Sequence, residues 1–198
     1  MSERVVESSV DEVPEIPEIL EKVLLFSLDR AKTKMEAGED IIPFTSLAVK
    51  ETLFMESHPA EDEQGCFNLA RHTVEHARGA QAYSFCYDGY VETDDGTHDA
   101  LIAEGGVPSA DKGFAVGQLY TVDDEGAVTF ESEPVYIGPA PNFMIALRDA
   151  DEYTDDEIDE RYRDEDDAEE AAEVAEAADL AEAAEEAVAV VDAEDATE

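Results

Sequence analysis

The chain has 198 residues, of which 53 are acidic and 12 are basic, so its formal net charge is −41. Proteins that bind nucleic acids cluster Lys and Arg against the phosphates, so this composition argues against nucleic-acid binding and against adhesion to an anionic membrane surface. The sequence contains no run of about 18 apolar residues. Its first residues are acidic where a secretory leader would be basic and then apolar, so we expect a cytoplasmic protein.

The charge is distributed unevenly along the chain. Residues 1–150 hold 30 acidic and 10 basic side chains, net −20, whereas residues 151–198 hold 23 and 2, net −21. We predict a flexible acidic leader over residues 1–13, an α+β domain over residues 14–148, and an acidic, Ala- and Glu-rich low-complexity tail over residues 149–198. Because negative charge repels itself and Ala buries little area, we expect this tail to be disordered or transiently helical in isolation. An acidic proteome, as in halophiles, would also explain the charge of the domain without any function.

Residues 14–38 predict the first helix. Leu20, Ser27, Ala31 and Met35 recur at helical spacing, and Gly38 suits the position just after the helix. Residues 41–58 predict two short strands around Lys50 and Glu51, with a proline at the strand entry, where its missing N–H costs least. Residues 61–79 return to helical spacing and predict a second helix that stops at Gly79.

After the second helix the apolar period changes to two, which predicts strands in the segments AQAYSFCYDGYV, DALIAEGG, KGFAVGQLYTV and AVTFESEPVYIG. The connections at residues 93–96 and 123–126 each end in a Gly that can adopt positive φ, so both predict antiparallel hairpins. The predicted fold class is α+β: an antiparallel sheet of about five to six strands, with two packed helices covering one face, in the order α-β-β-α-β-β-β-β. Cys66 and Cys86 are predicted to be reduced, buried thiols, because two distant cysteines in a reducing compartment form no disulfide framework.

The segment from Cys86 to Gly106 is the most acidic part of the predicted strands. A calcium loop with Gly96 at its sixth position would place Val91 at the first position and Ile102 at the twelfth, and neither side chain can ligate calcium. We therefore interpret the segment as a hairpin with an acidic turn. Asp88 lies inside an aromatic-rich strand and has two interpretations: a β-bulge at Asp88-Gly89, which we favour, or a polar group in a pocket. The candidate pocket residues are Asp88, Tyr83, Tyr87, Tyr90, Tyr120 and His98.

The second helix contains the pattern H-x-x-E-H, His72 to His76, which matches zinc peptidases in which two histidines bind zinc and the Glu activates a water. The apolar stripe of this helix places His72 nearly opposite the core and His76 at its edge. We therefore favour two solvated histidines over a metal site. No phosphate loop, nucleophile elbow or cofactor motif is present, so we predict no cofactor and no metal.

Four short motifs carry a resemblance: Glu36-Ala37-Gly38, Ile42-Pro43-Phe44, Tyr87-Asp88-Gly89-Tyr90, and Asp99-Ala100-Leu101-Ile102 with Glu104. Together they resemble a pattern found in small, uncharacterised bacterial cytosolic proteins, over roughly residues 18–138. That resemblance implies no activity. The predicted element order also resembles roadblock-type dimerisation modules, although no residue motif accompanies that order.

These observations favour a non-enzymatic protein-protein interaction domain with a polyanionic tail that either solubilises the domain or engages a basic partner. The alternative is a small-ligand-binding or metal-dependent enzyme domain, with a pocket around Asp88, the strand tyrosines and His98. The sequence leaves the oligomeric state open.

Overall fold

The structure is a computed structural model that describes residues 2–5, 14–93, 96–123, 126–131, 133–158 and 162. The elements in chain order are β1 (Ser2–Val5), α1 (Glu18–Glu36), β2 (Phe44–Val49), β3 (Thr52–Ser57), α2 (Glu63–Glu75), β4 (Ala80–Thr93), β5 (Gly96–Gly106), β6 (Gly113–Val122), β7 (Val128–Phe130) and β8 (Val135–Ala140). A short 3-10 turn follows at Ala150–Glu152. The predicted α+β class is confirmed.

One sheet contains all the described strands, in the order β3-β2-β4-β5-β6-β7. Strand β8 also pairs with β6, next to the Gly113–Gly117 half of that strand. All of these pairings are antiparallel. Strand β1 is the exception, because it runs parallel to β4 and pairs with residues 89–92, beyond the point where β2 ends. The leader predicted over residues 1–13 thus contains a strand at Ser2–Val5, and residues 6–13 lie outside the described part of the chain.

Helix α1 begins at Glu18, just after Pro17, and ends before Gly38, where the sequence predicts its end. Gly38 has φ +77°, and its N–H donates to Met35 O at 2.9 Å. The residues that α1 buries are Leu20, Val23, Leu24, Ser27, Leu28 and Ala31. In α2 the Asp62 side chain caps the helix by accepting from Gly65 N at 2.7 Å. An extended cap residue whose carboxylate accepts a first-turn N–H satisfies one of the helix's unpaired donors, so Asp62 fixes where α2 starts.

The two predicted hairpins are both present. Strands β4 and β5 pair without interruption from Tyr83 opposite Gly106 to Thr93 opposite Gly96. Strands β6 and β7 pair from Tyr120 opposite Phe130 to Val122 opposite Val128. The last predicted strand, however, forms two strands, β7 and β8. Proline offers no N–H to a ladder, and Pro134 lies between these two strands, which pair with different halves of β6.

The two helices lie on opposite faces of the sheet, so the prediction that helices cover one face is wrong. One apolar cluster joins α1 to small side chains of β4 and β5, including Ala82, Cys86 and Ala103. The other joins α2 to the aromatic side chains of β4, including Tyr83 and Phe85. We call these the α1 face and the α2 face. Strand β4 presents apolar side chains to both faces of the sheet. Both faces must therefore be covered to exclude water.

The segment after β8 packs against the α2 face and is anchored by Asn142, Tyr83 and Ile158. Asn142 Nδ2 donates to Val107 O at 2.8 Å and to Ala110 O at 2.7 Å. Ile158 is 7% exposed and lies against Gly79. Contacts with the domain thus continue past the predicted boundary at residue 149, and residues 159–161 and 163–198 of the predicted tail lie outside the described residues.

Arg148 and Glu157 tie the two ends of this segment together through an ion pair at 2.9 Å. Glu157 also accepts from Thr154 N at 3.0 Å, and this bond, together with Arg148, lowers the pKa of Glu157 to about 2. Across the described residues, no helix is both long enough and apolar enough to cross a membrane.

Candidate functional site

The sequence-predicted pocket residues are divided between the two faces of the sheet. Asp88 lies in β4 opposite Leu101, whose side chain belongs to the α1 cluster, and Tyr90 lies two residues further on the same face. Tyr83 and Tyr87 belong to the α2 cluster, and His98 lies opposite Val91 of that cluster. The structure therefore does not bring all six predicted residues into one site.

Asp88 and Tyr120 form a polar pair on the α1 face. Tyr120 Oη donates to Asp88 Oδ1 at 2.8 Å. Burial raises the pKa of Asp88 above its ordinary value, while the hydrogen bond from Tyr120 acts in the opposite direction. Burial, and then the hydrogen bond to Asp88, raise the pKa of Tyr120. This arrangement holds a half-buried carboxylate against a phenol, and Tyr90 with its register partner Asp99 follows along the strand.

The prediction of a β-bulge at Asp88-Gly89 is wrong. The register of β4 and β5 is continuous through Asp88 opposite Leu101 and Gly89 opposite Ala100. Asp88 instead occupies the position where β4 changes its partner on the other edge, between β2, which pairs up to Cys86, and β1, which pairs from Gly89.

Tyr83 has a structural role on the α2 face. Its hydroxyl donates to Pro141 O at 3.0 Å and accepts from Phe143 N at 3.0 Å, and its ring stacks on Phe143 with centroids 5.4 Å apart. Burial raises the pKa of Tyr83, so the hydroxyl stays a donor. Tyr83 thereby holds the chain after β8 in place, including Pro141.

Pro141 forms part of the wall of an open cavity of about 480 Å³ at the N-terminal end of α2. The apolar lining residues are Ile41, Pro43, Ala60, Cys66, Phe67, Phe85, Tyr87 and Pro141, and the acidic ones are Glu61, Asp62, Glu63, Asp88 and Glu104. Small-molecule sites have volumes of about 300–1,000 Å³ and combine apolar walls with a few polar groups. Of the predicted pocket residues, Asp88 and Tyr87 line this cavity.

Glu104 is a functional candidate that is not among the residues predicted from the sequence. Its side chain is only 4% exposed, it lies in β5 opposite Phe85, and Tyr87 Oη donates to Glu104 Oε1. Carboxylates are rarely this buried unless their hydrogen bonds are satisfied. One indication was present in the sequence: in the apolar segment ALIAEGG, Glu104 falls on the same inward alternation as Ala100 and Ile102.

Buried His58 is a second missed residue on the α2 face. It is 2% exposed, its Nε2 lies 2.9 Å from Thr45 Oγ1, and its ring centroid is 6.5 Å from that of Phe85. Burial lowers the pKa of His58, so the neutral imidazole is favoured. The histidine therefore serves as a hydrogen-bonded core residue beside the cavity.

The H-x-x-E-H pattern lies on the exposed side of α2, as the helical spacing predicts. The His72 and His76 rings are 4.3 Å apart, and Glu75 accepts from Arg71 Nε at 2.6 Å. A zinc peptidase needs a third ligand from another element and a free Glu, and this Glu is engaged by Arg71. Within the described ranges, no group of three or more His, Cys, Asp or Glu side chains is arranged to hold a metal ion.

Cys66 and Cys86 are both buried and free, as predicted. They lie in different elements, Cys66 in α2 and Cys86 in β4, and burial raises the pKa of the Cys86 thiol. A thiol with a raised pKa is a poor nucleophile at neutral pH, so Cys86 fits a packing role.

No family model, no curated protein and no solved structure gives a match to this chain.

Proposed function

We propose that this protein is a non-enzymatic, cytoplasmic binding protein whose partner is a protein with a basic surface. The observation that supports this proposal is the excess of carboxylates in both parts of the chain, net −20 over residues 1–150 and net −21 over residues 151–198. Such a field speeds encounter with a cationic surface, and screening by salt weakens it.

The distribution of the cations adds to this argument. Lys22, Lys50, Arg71 and Arg148 each form an ion pair with a carboxylate of this chain, at 2.6–3.4 Å. The basic side chains are thus partly neutralised within the molecule, and the outward field is dominated by carboxylates.

The test is capture of binding partners from the cytosol of the source organism, with three baits: the full chain, a chain ending at Tyr162, and a full-length chain whose Glu residues after Tyr162 are changed to Gln. The chain ending at Tyr162 keeps every residue that the structure describes. The Gln chain keeps the length of the tail and removes charge, so it separates charge from length.

We expect basic proteins to be retained by the full chain at low ionic strength and released at about 1 M NaCl, where the Debye length falls to about 3 Å. Loss of the same proteins with both altered baits assigns binding to the tail charge, and retention by all three assigns it to the folded domain. Capture of no basic protein by any bait would refute the proposal.

A second candidate function, small-ligand binding, is favoured by the cavity of about 480 Å³. The centre of this cavity differs from that of the pocket predicted from the sequence. Tyr87 and Asp88 line it together with Glu104, whereas Tyr83, Tyr90, Tyr120 and His98 are not among the described lining residues.

A further inference from the structure

The cavity at the N-terminal end of α2 has an unusual balance of charge. Five acidic residues are among its lining residues, although the Asp88 carboxylate bonds Tyr120 on the α1 face, and no Lys, Arg or His is among the lining residues that the structure describes. The carboxylates lie at different depths. Glu61 and Glu63 are exposed at the mouth, whereas Glu104 is 4% exposed.

Aromatic rings form a continuous wall beside Glu104. Phe67 and Phe85 meet edge to face with centroids 6.3 Å apart, and Phe85 lies 5.2 Å from Tyr87. The faces of aromatic rings carry negative charge, so they attract cations within about 6 Å of their centroids. A ring face turned to the cavity and the carboxylates would therefore favour the same sign of charge in a ligand.

The charge of a ligand would affect how strongly it binds in this cavity. An anion would meet several acidic side chains and no basic one among the described lining residues, and a neutral apolar molecule would gain the contact with the walls but nothing from the carboxylates. A strongly hydrated inorganic cation would gain nothing from the apolar walls. A cation carried on an apolar body gains both contributions.

We propose that this cavity binds an organic cation, a primary amine or a guanidinium on an apolar or aromatic body. The inference rests on the proposed binding function and names the chemistry of one site within it. The same chemistry is available from a free amine or from a Lys or Arg side chain presented by a basic protein. In either case the cationic head lies toward Glu104 and the body against Phe67 and Phe85.

The test is an NMR titration of the ¹⁵N-labelled full-length chain with three matched probes: phenethylamine, phenethyl alcohol and phenylacetate. We expect the amine to shift the amides of the lining residues at millimolar concentration, and the alcohol and the carboxylate to shift them far less. A Gly-Phe-Arg-Gly peptide blocked at both ends forms a fourth arm. Tighter binding of the peptide than of the amine assigns the site to a protein side chain, and the reverse order assigns it to a free amine.

Three variants test which carboxyl groups contribute to the affinity for the amine. Glu104→Gln replaces the buried carboxyl group with an amide and should weaken amine binding by more than about tenfold. Should that variant fail to fold, Glu61→Gln with Glu63→Gln at the exposed mouth should weaken it by about threefold to tenfold. Glu92→Gln is the matched control, because Glu92 is exposed in the hairpin half of β4, and it should leave the affinity unchanged.

Equal shifts from the amine and the alcohol, shifts that map away from the cavity, or no shift with any probe would overturn the inference. Such a failure is distinguishable from failure of the proposed function. A chain that captures basic proteins but ignores the amine and the Arg peptide retains the binding function without this site, and a chain that binds the amine but captures no basic protein retains only the site.

Discussion

Asp88 is held between two opposing influences, since burial raises its pKa and the hydroxyl of Tyr120 lowers it. Burial is the larger, so the folded-state pKa lies above the unfolded value. The folded state then binds a proton more tightly than the unfolded state. The stability that this difference provides is present below the unfolded pKa and is lost as the pH rises through the folded pKa.

Asp88→Asn keeps an acceptor for Tyr120 and removes the ionisation. We therefore expect this variant to gain stability relative to the parent as the pH rises from about 3.9, the ordinary Asp value, toward 7. Urea unfolding of both chains across this pH range measures the difference, with exposed Asp111→Asn as the control for general loss of charge. A difference that does not vary with pH, or that matches Asp111→Asn, would contradict the assignment.

Gly105 lies in β5 against Leu20 and Leu24 of α1. A Cβ at this position would lie 2.1 Å from Tyr83 O and 3.0 Å from Leu20 Cδ1, and a backbone oxygen cannot move aside as a flexible side chain can. We expect Gly105→Ala to destabilise the fold by about 3 kcal/mol, the upper end of overpacking costs. In Gly117→Ala the nearest atom would be Ile137 Cγ2 at 3.3 Å, so a smaller loss is expected. Urea midpoints of the two variants test this order.

The residue scale is also where prediction from sequence was least complete. Asp88 can be identified from the sequence because a carboxylate interrupts an aromatic strand, and it is among the residues that line the cavity, although its carboxylate bonds Tyr120 on the α1 face. The burial of Glu104 cannot be predicted from local spacing, because it depends on Tyr87 and on the long-range packing of α2. Tyr83 and Tyr87 alternate with Asp88 along β4, so they point to the opposite face from the Asp88 side chain.

At the scale of elements, the start of α2 depends on one carboxylate. Asp62 accepts from Gly65 N at 2.7 Å and also lines the mouth of the cavity. Asp62→Ala should destabilise the fold by about 1 kcal/mol through loss of the cap, whereas Asp62→Asn, which keeps an acceptor, should cost only a small part of that. Urea unfolding compares the two. Equal losses would mean that charge rather than capping is responsible.

The helices and hairpins could be predicted because their determinants are local: helical spacing from Leu20 to Ala31, Gly38 after α1, and the Gly-ended turns between β4 and β5 and between β6 and β7. The placement of α1 and α2 on opposite faces could not, since the prediction followed only the aromatic alternation Tyr83, Phe85, Tyr87. The intervening Ala82, Ser84 and Cys86 are equally buried, and their small side chains leave room for α1. Small residues at alternate strand positions indicate a second covered face as firmly as large ones.

At the scale of the whole molecule, the net charge of −41 opposes compaction. Residues 163–198 hold 16 acidic side chains and one basic side chain, so a chain ending at Tyr162 has a net charge of −26. We expect NaCl to raise the Tm of both chains through screening, and to raise that of the full chain more. Thermal unfolding at low salt and at about 1 M NaCl provides the comparison. Equal increases in Tm would show that the charge of the tail does not act on the folded domain.

The uninterrupted pairing of β4 with β5 also bears on the order in which the molecule folds and opens. A hairpin closed by a short turn loses little chain entropy, so this pair can form early and supply the edges on which β2, β1 and β6 then assemble. Its amides, such as those of Tyr87 and Ile102, should exchange with deuterium more slowly than those of α2, such as Phe67. One wall of the cavity would then belong to the last structure to open and the facing wall to a helix that opens sooner, so a ligand could enter while the sheet stays intact.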